Sequence, residues 1–405
     1  MSTNDFIPEA GTLPSRIEYV RETSRGETPS DPAWNIYSDH VNNYWGWEPD
    51  ANKQEVQSVG SLSPTITDAG SETHEATISY WLQDWVVDGS GNAVDASGDV
   101  LQTTSDNTVN NTHSVVSRFD ISTNGADGAG YRIYHVGKGG VPTEVTIPFE
   151  VDEGTPVAPE LSYQFEKFRA YRIDQPSSST TLEIDNQGTT SVDVTIEDEG
   201  AATTETNTVS GGNSVTTTAT FGDIDAVELD TDTDGDVVIS DGGGTTFMTI
   251  QGSDSYTTEG DLGVPALGSG SHASANNSDY VIFNDDTYDY DGTEIEDEII
   301  SGELSVSLEV EDNAVVGTSR RNIHITGFMA TWTATVAGES PSVDQTVDYL
   351  TNVEYSKIKW TADEGSIAGD DVELMSPGES SYEAGQGKAT RDLEWMTQSG
   401  LTLSN

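Results

Sequence analysis

A chain of 405 residues is long enough for two or three ordinary domains, and 33% apolar content with 40 glycines suits sheets joined by turns better than packed helices. Its 16 Lys and Arg against 71 Asp and Glu leave a formal net charge of −55, which excludes a basic nucleic-acid groove and repels itself at ordinary salt. At molar salt the Debye length falls to roughly 3 Å, so the Lys-poor surface points to a halophile, and the absence of cysteine removes disulfides and thiolate chemistry.

The N-terminal "MSTNDFIPEAGTLPSR" has neither a basic region nor an apolar core, so no signal peptide is expected. No stretch approaches the ~18 apolar residues of a membrane span. "IEYVRETSRGETPSDPAW" (17–34) reads as a strand and a loop, where the scarce cations Arg16, Arg21 and Arg25 gather. Pro29 and Pro32 set this loop and Trp34 anchors it. Arg21 and Arg25 are expected to be counter-charges for carboxylates of a neighbouring subunit. "VNNYWGWEPDANKQEVQSVGSLSP" (41–64) reads as a long polar loop, with Trp45 and Trp47 buried at a subunit interface or in a core. Period-2 alternation marks strands in "EATISYWLQDWVVD" (75–88) and "ELSYQFEKFRAYRID" (160–174). In "HVGKGGVP" (135–142) the Walker spacing is absent, and Gly137, Gly139 and Gly140 read as a hairpin turn.

Between Arg172 and Arg320 there is no Lys or Arg, and the texture changes. Short alternating strands recur through Leu182, Ile184, Val192, Val194, Ile196, Val215, Phe221, Ile224, Val227, Leu229 and Val237 to Ile239. Spacing of about ten residues predicts an inserted immunoglobulin-like β-sandwich over 175–262. Within it, Asp230, Asp232, Asp234, Asp236 and Asp241 fall at calcium-loop positions around Gly235. Strand-like flanks favour a solvated hairpin tip over an ion site.

The Gly/Ser/Ala-rich run 263–278 reads as a linker back to the first domain. Strands return in "GELSVSLEVED" (302–312) and "RRNIHITGFMATWTATV" (320–336). One helix is predicted over 340–352, capped by Ser340, with Val343, Val347 and Leu350 on one face.

Catalytic signatures are missing. The six histidines are too far apart for a His-x-x-x-His pair, and no Gly-x-Ser-x-Gly elbow occurs. Among 71 acids no catalytic carboxylate pair can be singled out. No cofactor is expected, and no enzyme activity.

The strand and Glu-x-x-x-Gly-x-x-Pro-x-x-Pro-x-Trp loop of 17–34 resemble the major tail tube proteins of long-tailed viruses, as do 61–83, 145–173 and 292–336. The acidic composition makes the expected host a haloarchaeon. The resemblance implies an all-β fold: an antiparallel sandwich or half-barrel with one flanking helix, interrupted by the inserted module. The tube domain would then comprise 1–174 and 263–405. It further implies hexameric rings stacked around a tape-measure protein, ending on terminator and baseplate proteins. Viral DNA would pass through the lumen without specific binding, and the location would be the virion tail after assembly in the host cytoplasm, with no membrane role. An adhesin or capsid decoration is the alternative, and a polysaccharide-active enzyme a third reading.

Overall fold

The computed structural model describes residues 14–29, 32, 34–37, 41–50, 54–56, 65–67, 73–83, 85–87, 90, 93–106, 112–122, 125, 128–150, 156–199, 202–252, 262–267, 281, 287–290, 293–294, 299–314, 321–337, 356–362, 365–376, 380–381, 390–397 and 401–404. The helix predicted over 340–352 lies outside them.

The first part of the chain contains β1 (Arg16–Arg21), β2 (Asn35–Ile36), β3 (Val41–Asp50), β4 (Gln54–Val56), β5 (Thr65–Thr67), β6 (Thr73–Tyr80), helix α1 (Ala96–Asp106), β7 (His113–Ile121), β8 (Tyr131–Glu150), β9 (Glu160–Phe165) and β10 (Lys167–Asp174). A middle run follows. It comprises β11 (Glu183–Asn186), β12 (Val192–Asp198), β13 (Thr204–Val209), β14 (Asn213–Thr216), β15 (Ile224–Leu229), β16 (Val237–Ser240), β17 (Thr246–Ile250) and β18 (Gly263–Val264). The last part holds β19 (Thr287–Tyr290), β20 (Thr293–Glu294), β21 (Ile299–Ala314), β22 (Arg321–Ala337), β23 (Ser356–Ala362), β24 (Gly365–Ser376), β25 (Ser380–Ser381), β26 (Thr390–Thr397) and β27 (Leu401–Ser404). The fold is all-β with antiparallel pairing throughout.

Among the described residues, the first and last parts form one 17-stranded sheet folded on itself. Its pivot is β8. Residues 131–140 of β8 lie between β7 and β10, completing a first layer in the order β2-β1-β7-β8-β10. Residues 141–150 lie between β9 and β21, in a second layer that runs β3-β6-β9-β8-β21-β22-β26-β24. Gly137, Gly139 and Gly140 make the bend, so the expected hairpin turn is instead a corner inside one long strand. Gly139 sits at φ 63°, where L side chains are disfavoured. A Cβ on Gly137 or on Gly140 would stand 2.5 Å from the Phe165 ring. The corner therefore needs glycine both for its backbone and for its packing.

Between the layers lies one core, with Ile17, Tyr19 and Val115 facing Ile78, Leu161, Val145, Leu304, Val306 and Trp332. Helix α1 adds Ala96, Val100 and Leu101. Its N-cap is Asp95, whose Oδ1 accepts from Gly98 N at 2.8 Å while Tyr80 OH donates to Oδ2 at 2.6 Å. Burial pushes this carboxyl up to about 7 in spite of both bonds. Beyond it runs a polar chain in which Asp99 lies 3.3 Å from His113 Nε2, while His113 Nδ1 and Tyr37 OH each lie 3.0 Å from Tyr163 OH. His113 is fully buried, so the chain ties the helix to both layers.

The middle run makes two four-stranded sheets, β14-β11-β16-β17 and β13-β12-β15-β18, sharing a core through Ile184, Val194, Ile196, Phe221, Val227 and Ile239. With β11, β12, β13, β14, β15 and β18 taken as strands B, C, C′, E, F and G, the pairings B–E, C–F and F–G match the immunoglobulin pattern. The edge normally held by strand A is held by hairpin β16–β17, which lies between F and G in the chain. Strand β18 falls beyond residue 262, where the composition placed the end of the module. Fully buried Val264 explains this: its pairing with Val227 closes the sheet edge despite the Gly/Pro-rich surroundings.

Candidate assembly surface

Three regions have the charge or geometry for function: the outer face of the second layer, a hairpin that outruns its neighbours, and the seat of the module. The outer face follows from alternation. Along β21, Leu304, Val306 and Leu308 turn inward, so Glu303, Ser305 and Ser307 turn out. Strand pairing extends these into rows. One row runs Ser79, Glu160, Thr146, Ser305, Thr331, Met396 across six strands. Parallel to it lie Thr77, Ser162, Glu144, Ser307, Met329 and Pro148, Glu303, Thr333, Glu394. Hydroxyls bond across strands on this face: Thr77 Oγ1 with Ser162 Oγ at 2.9 Å within a row, and Thr335 Oγ1 with Asp392 at 2.7 Å beyond the third. No member of these rows is basic. Partial burial, with Glu144 and Glu160 adding repulsion, pushes the Glu303 carboxyl up. Such a face repels phosphate.

Hairpin β21–β22 extends past its support. Strand β8 leaves β21 after the Glu144–Ser307 pair, because it turns at Gly139 into the other layer. On the other flank β26 reaches only Ala330. Among the described residues, 308–314 and 321–329 pair only with each other. Each strand of this arm thus presents an edge of backbone donors and acceptors. Hairpin β3–β6 ends at the Asp50–Thr73 pair, and between those residues the chain forms a separate two-stranded hairpin, β4–β5. Since His74 pairs with Phe165 and Val141 with Gln164, the Asp50–Thr73 pair and the root of the arm lie at the same end of the layer. The segment 41–64, expected as a loop, contains strands: its Val41–Asp50 stretch pairs with β6.

The "ETSRGETP" loop meets this end. Buried Glu22 accepts from Gly26 N, Thr112 Oγ1, Ser114 Oγ and Gly139 N at 2.7, 2.7, 2.8 and 2.8 Å. One carboxylate thereby ties the turn, where Gly26 has φ 74°, to the bend in β8. The Glu22-to-Gly26 spacing thus has a local structural cause. Arg25 is engaged inside its own chain: its Nε lies 2.6 Å from fully buried Glu166 and its Nη1 3.1 Å from His324 Nδ1. These contacts lie within its own chain, whereas the partner expected from the sequence was a carboxylate of a neighbouring subunit. Arg21 is exposed at the end of β1. Trp34 is buried in the core shared with the module, away from any outer surface. Trp45 pairs with Thr77 in β3, just before a register irregularity; the side chains of Trp45 and Trp47 lie outside the described residues.

The module's seat was missed in the sequence. Val20, Trp34, Val116, Tyr134, Val136, Tyr171 and Ile173, on the outer face of the first layer, join the module's core. Beside them, Arg118 bonds Asp225 at 3.0 Å, Glu199 at 3.0 Å and Asp120 at 3.2 Å. Arg132 reaches Glu199 at 2.6 Å, Asp223 at 2.9 Å, Asp120 at 2.9 Å and the Ile224 carbonyl at 2.9 Å. Tyr134 OH donates to Asp225 at 2.7 Å. Burial raises the Glu199 carboxyl, but its bond to Asp223 and the two guanidiniums prevail and leave it at about 2. The signal available was the confinement of basic residues to the host parts of an otherwise acidic chain.

Next to this seat, Glu18 is fully buried and pairs with Arg16. Burial outweighs the guanidinium and raises its carboxyl to about 7. The stability held by its neutral form is complete below pH 4.5 and lost as pH rises through about 7. Glu18→Gln should therefore gain on wild type between pH 4.5 and pH 8, by up to about 3 kcal/mol in chemical denaturation. Equal differences at both pH values would contradict the assignment.

The five aspartates of the calcium-like spacing diverge. Asp230 accepts from Asp193 N at 2.8 Å, Asp234 from Thr189 N at 2.6 Å, Asp236 from Gly252 N at 3.2 Å, and Asp241 from Gly243 N at 2.7 Å. Asp232 is exposed beside them. Strand β16 separates Asp236 from Asp241, so each carboxylate caps a different turn. Among the described residues no three His, Asp or Glu gather as a metal needs.

No protein-family model matches the chain, and no curated protein sequence matches it.

Proposed function

We propose that this protein is a structural subunit that joins copies of itself through sheet edges into rings and stacked rings, forming the tail tube of a haloarchaeal virus. The observation that carries this reading is the second layer: rows of hydroxyls and carboxylates cross six strands beside an arm whose two edges have no neighbour among the described residues. Copies adding strand to strand would satisfy those edges and continue the rows around a closed, anionic lumen. Such a wall lets DNA slide because it offers phosphates nothing to hold. Six-fold symmetry, a tape-measure partner, and terminator and baseplate contacts follow from the resemblance of 17–34, 61–83, 145–173 and 292–336 to tail tube proteins.

At molar salt the purified protein should form rings or tubes in negative-stain micrographs. Replacing 310–325 by a two-residue turn should leave a folded monomer, because the deleted half lies beyond the flanking strands. Wild-type protein that stays monomeric at every salt and protein concentration would sink the proposal.

A further inference from the structure

The structure assigns Arg25 a second role: a proton-sensitive latch that holds the β21–β22 arm through His324. Arginine only donates, so the 3.1 Å contact requires His324 Nδ1 to accept, which a neutral ring with its proton on Nε2 can do. A protonated ring carries hydrogen on both nitrogens. It has no lone pair for Arg25 and adds a second cation beside the guanidinium.

The two ends of the latch differ. On the inner side, Arg25 Nε is held 2.6 Å from Glu166, a fully buried carboxylate at the junction of β9 and β10. Behind it, Glu22 fastens the same turn through Gly26 N. On the outer side, His324 is exposed on the half of β22 that lacks a flanking strand. Proton uptake therefore frees the arm while leaving the loop in place. Arg25 reaches His324 from the loop, with Glu166 behind it, and Glu311 is its strand partner across β21. Glu309 lies two residues along that strand, opposite Gly327. Glu311, the strand partner of His324, offers an imidazolium a carboxylate in place of Arg25.

The latch goes beyond the assembly reading, and its readout is the arm's own protection rather than ring formation. Hydrogen exchange of the full chain, on the monomer fraction isolated by gel filtration at molar salt and corrected for intrinsic rates, compares the amides of 310–313 and 322–326 at pH 5 and pH 8. Wild type should lose protection at pH 5 by about three- to tenfold, the worth of about one hydrogen bond. His324→Asn keeps an acceptor that does not titrate and should be protected alike at both pH values. His324→Lys should be unprotected at both, and Arg25→Gln likewise. Protection in wild type that is independent of pH, or a pH effect that persists in His324→Asn, overturns the latch.

Discussion

Replacing residues 176–267 by a short linker should leave no soluble folded host domain. The first layer is covered on both faces, by the main core on one and by the module on the other. Removal strips the cover from Val20, Trp34, Val116, Tyr134, Val136 and Tyr171. A fully buried side chain of this kind contributes about 1.5–3 kcal/mol. Six of them, even partly uncovered, rival a total stability of about 5–15 kcal/mol. The excised module should behave in the opposite way. Its two sheets enclose Ile184, Val194, Ile196, Phe221, Val227 and Ile239 between themselves. Expression, gel filtration and dye binding to exposed apolar surface would check both halves of the result. A soluble, compact host lacking the module would show that the shared core is dispensable.

Arg132→Met should cost about 3–5 kcal/mol, the range for breaking one side of a buried ion-pair cluster. The substitution removes contacts to Asp120, Glu199, Asp223 and the Ile224 carbonyl at once. What remains is a group of carboxylates gathered around Arg118 alone. Adding Glu199→Gln and Asp223→Asn should recover part of the loss, because their charges no longer need a partner. Salt should help less than it helps surface repulsion, since the guanidinium is largely shielded from water. Denaturation midpoints at several salt concentrations measure this. A loss below about 1 kcal/mol, typical of exposed pairs, would mean that the apolar contacts alone seat the module.

Both results concern a boundary that local reading handled unevenly. Alternation at Leu304, Val306 and Leu308 marks a half-buried strand wherever it occurs, so β21 was legible. The same holds for Val192, Val194 and Ile196 in β12. Helix α1 was not legible: its "ASGDVLQTTSD" carries only Val100 and Leu101 as large apolar residues. It is held by Asp95, Tyr80 and the packing of both layers, which are distant partners. The glycines at 137–140 were seen, but their local pattern fits a turn and a corner equally well. Only Phe165, Glu166 and Glu22, all brought in from elsewhere, select the corner.

At the candidate surface the division is the same. Scarce arginines identified the "VRETSRGETPSDPAW" loop, but Glu166 and His324 are far along the chain, so the partners of Arg25 were invisible. The calcium-like spacing kept its aspartates close in sequence; strand geometry then spread them among separate turns.

By itself the sequence determined the all-β class, the alternating faces, the change of texture at the module and the acidic surface. These follow from side-chain period and composition, which are local. Tertiary structure alone decided that β8 serves two layers, that the module covers one of them, and that the β21–β22 arm is left without flanking strands among the described residues. Those outcomes depend on which distant segments meet, and pairing energy along a strand does not name its partner until the whole sheet is closed.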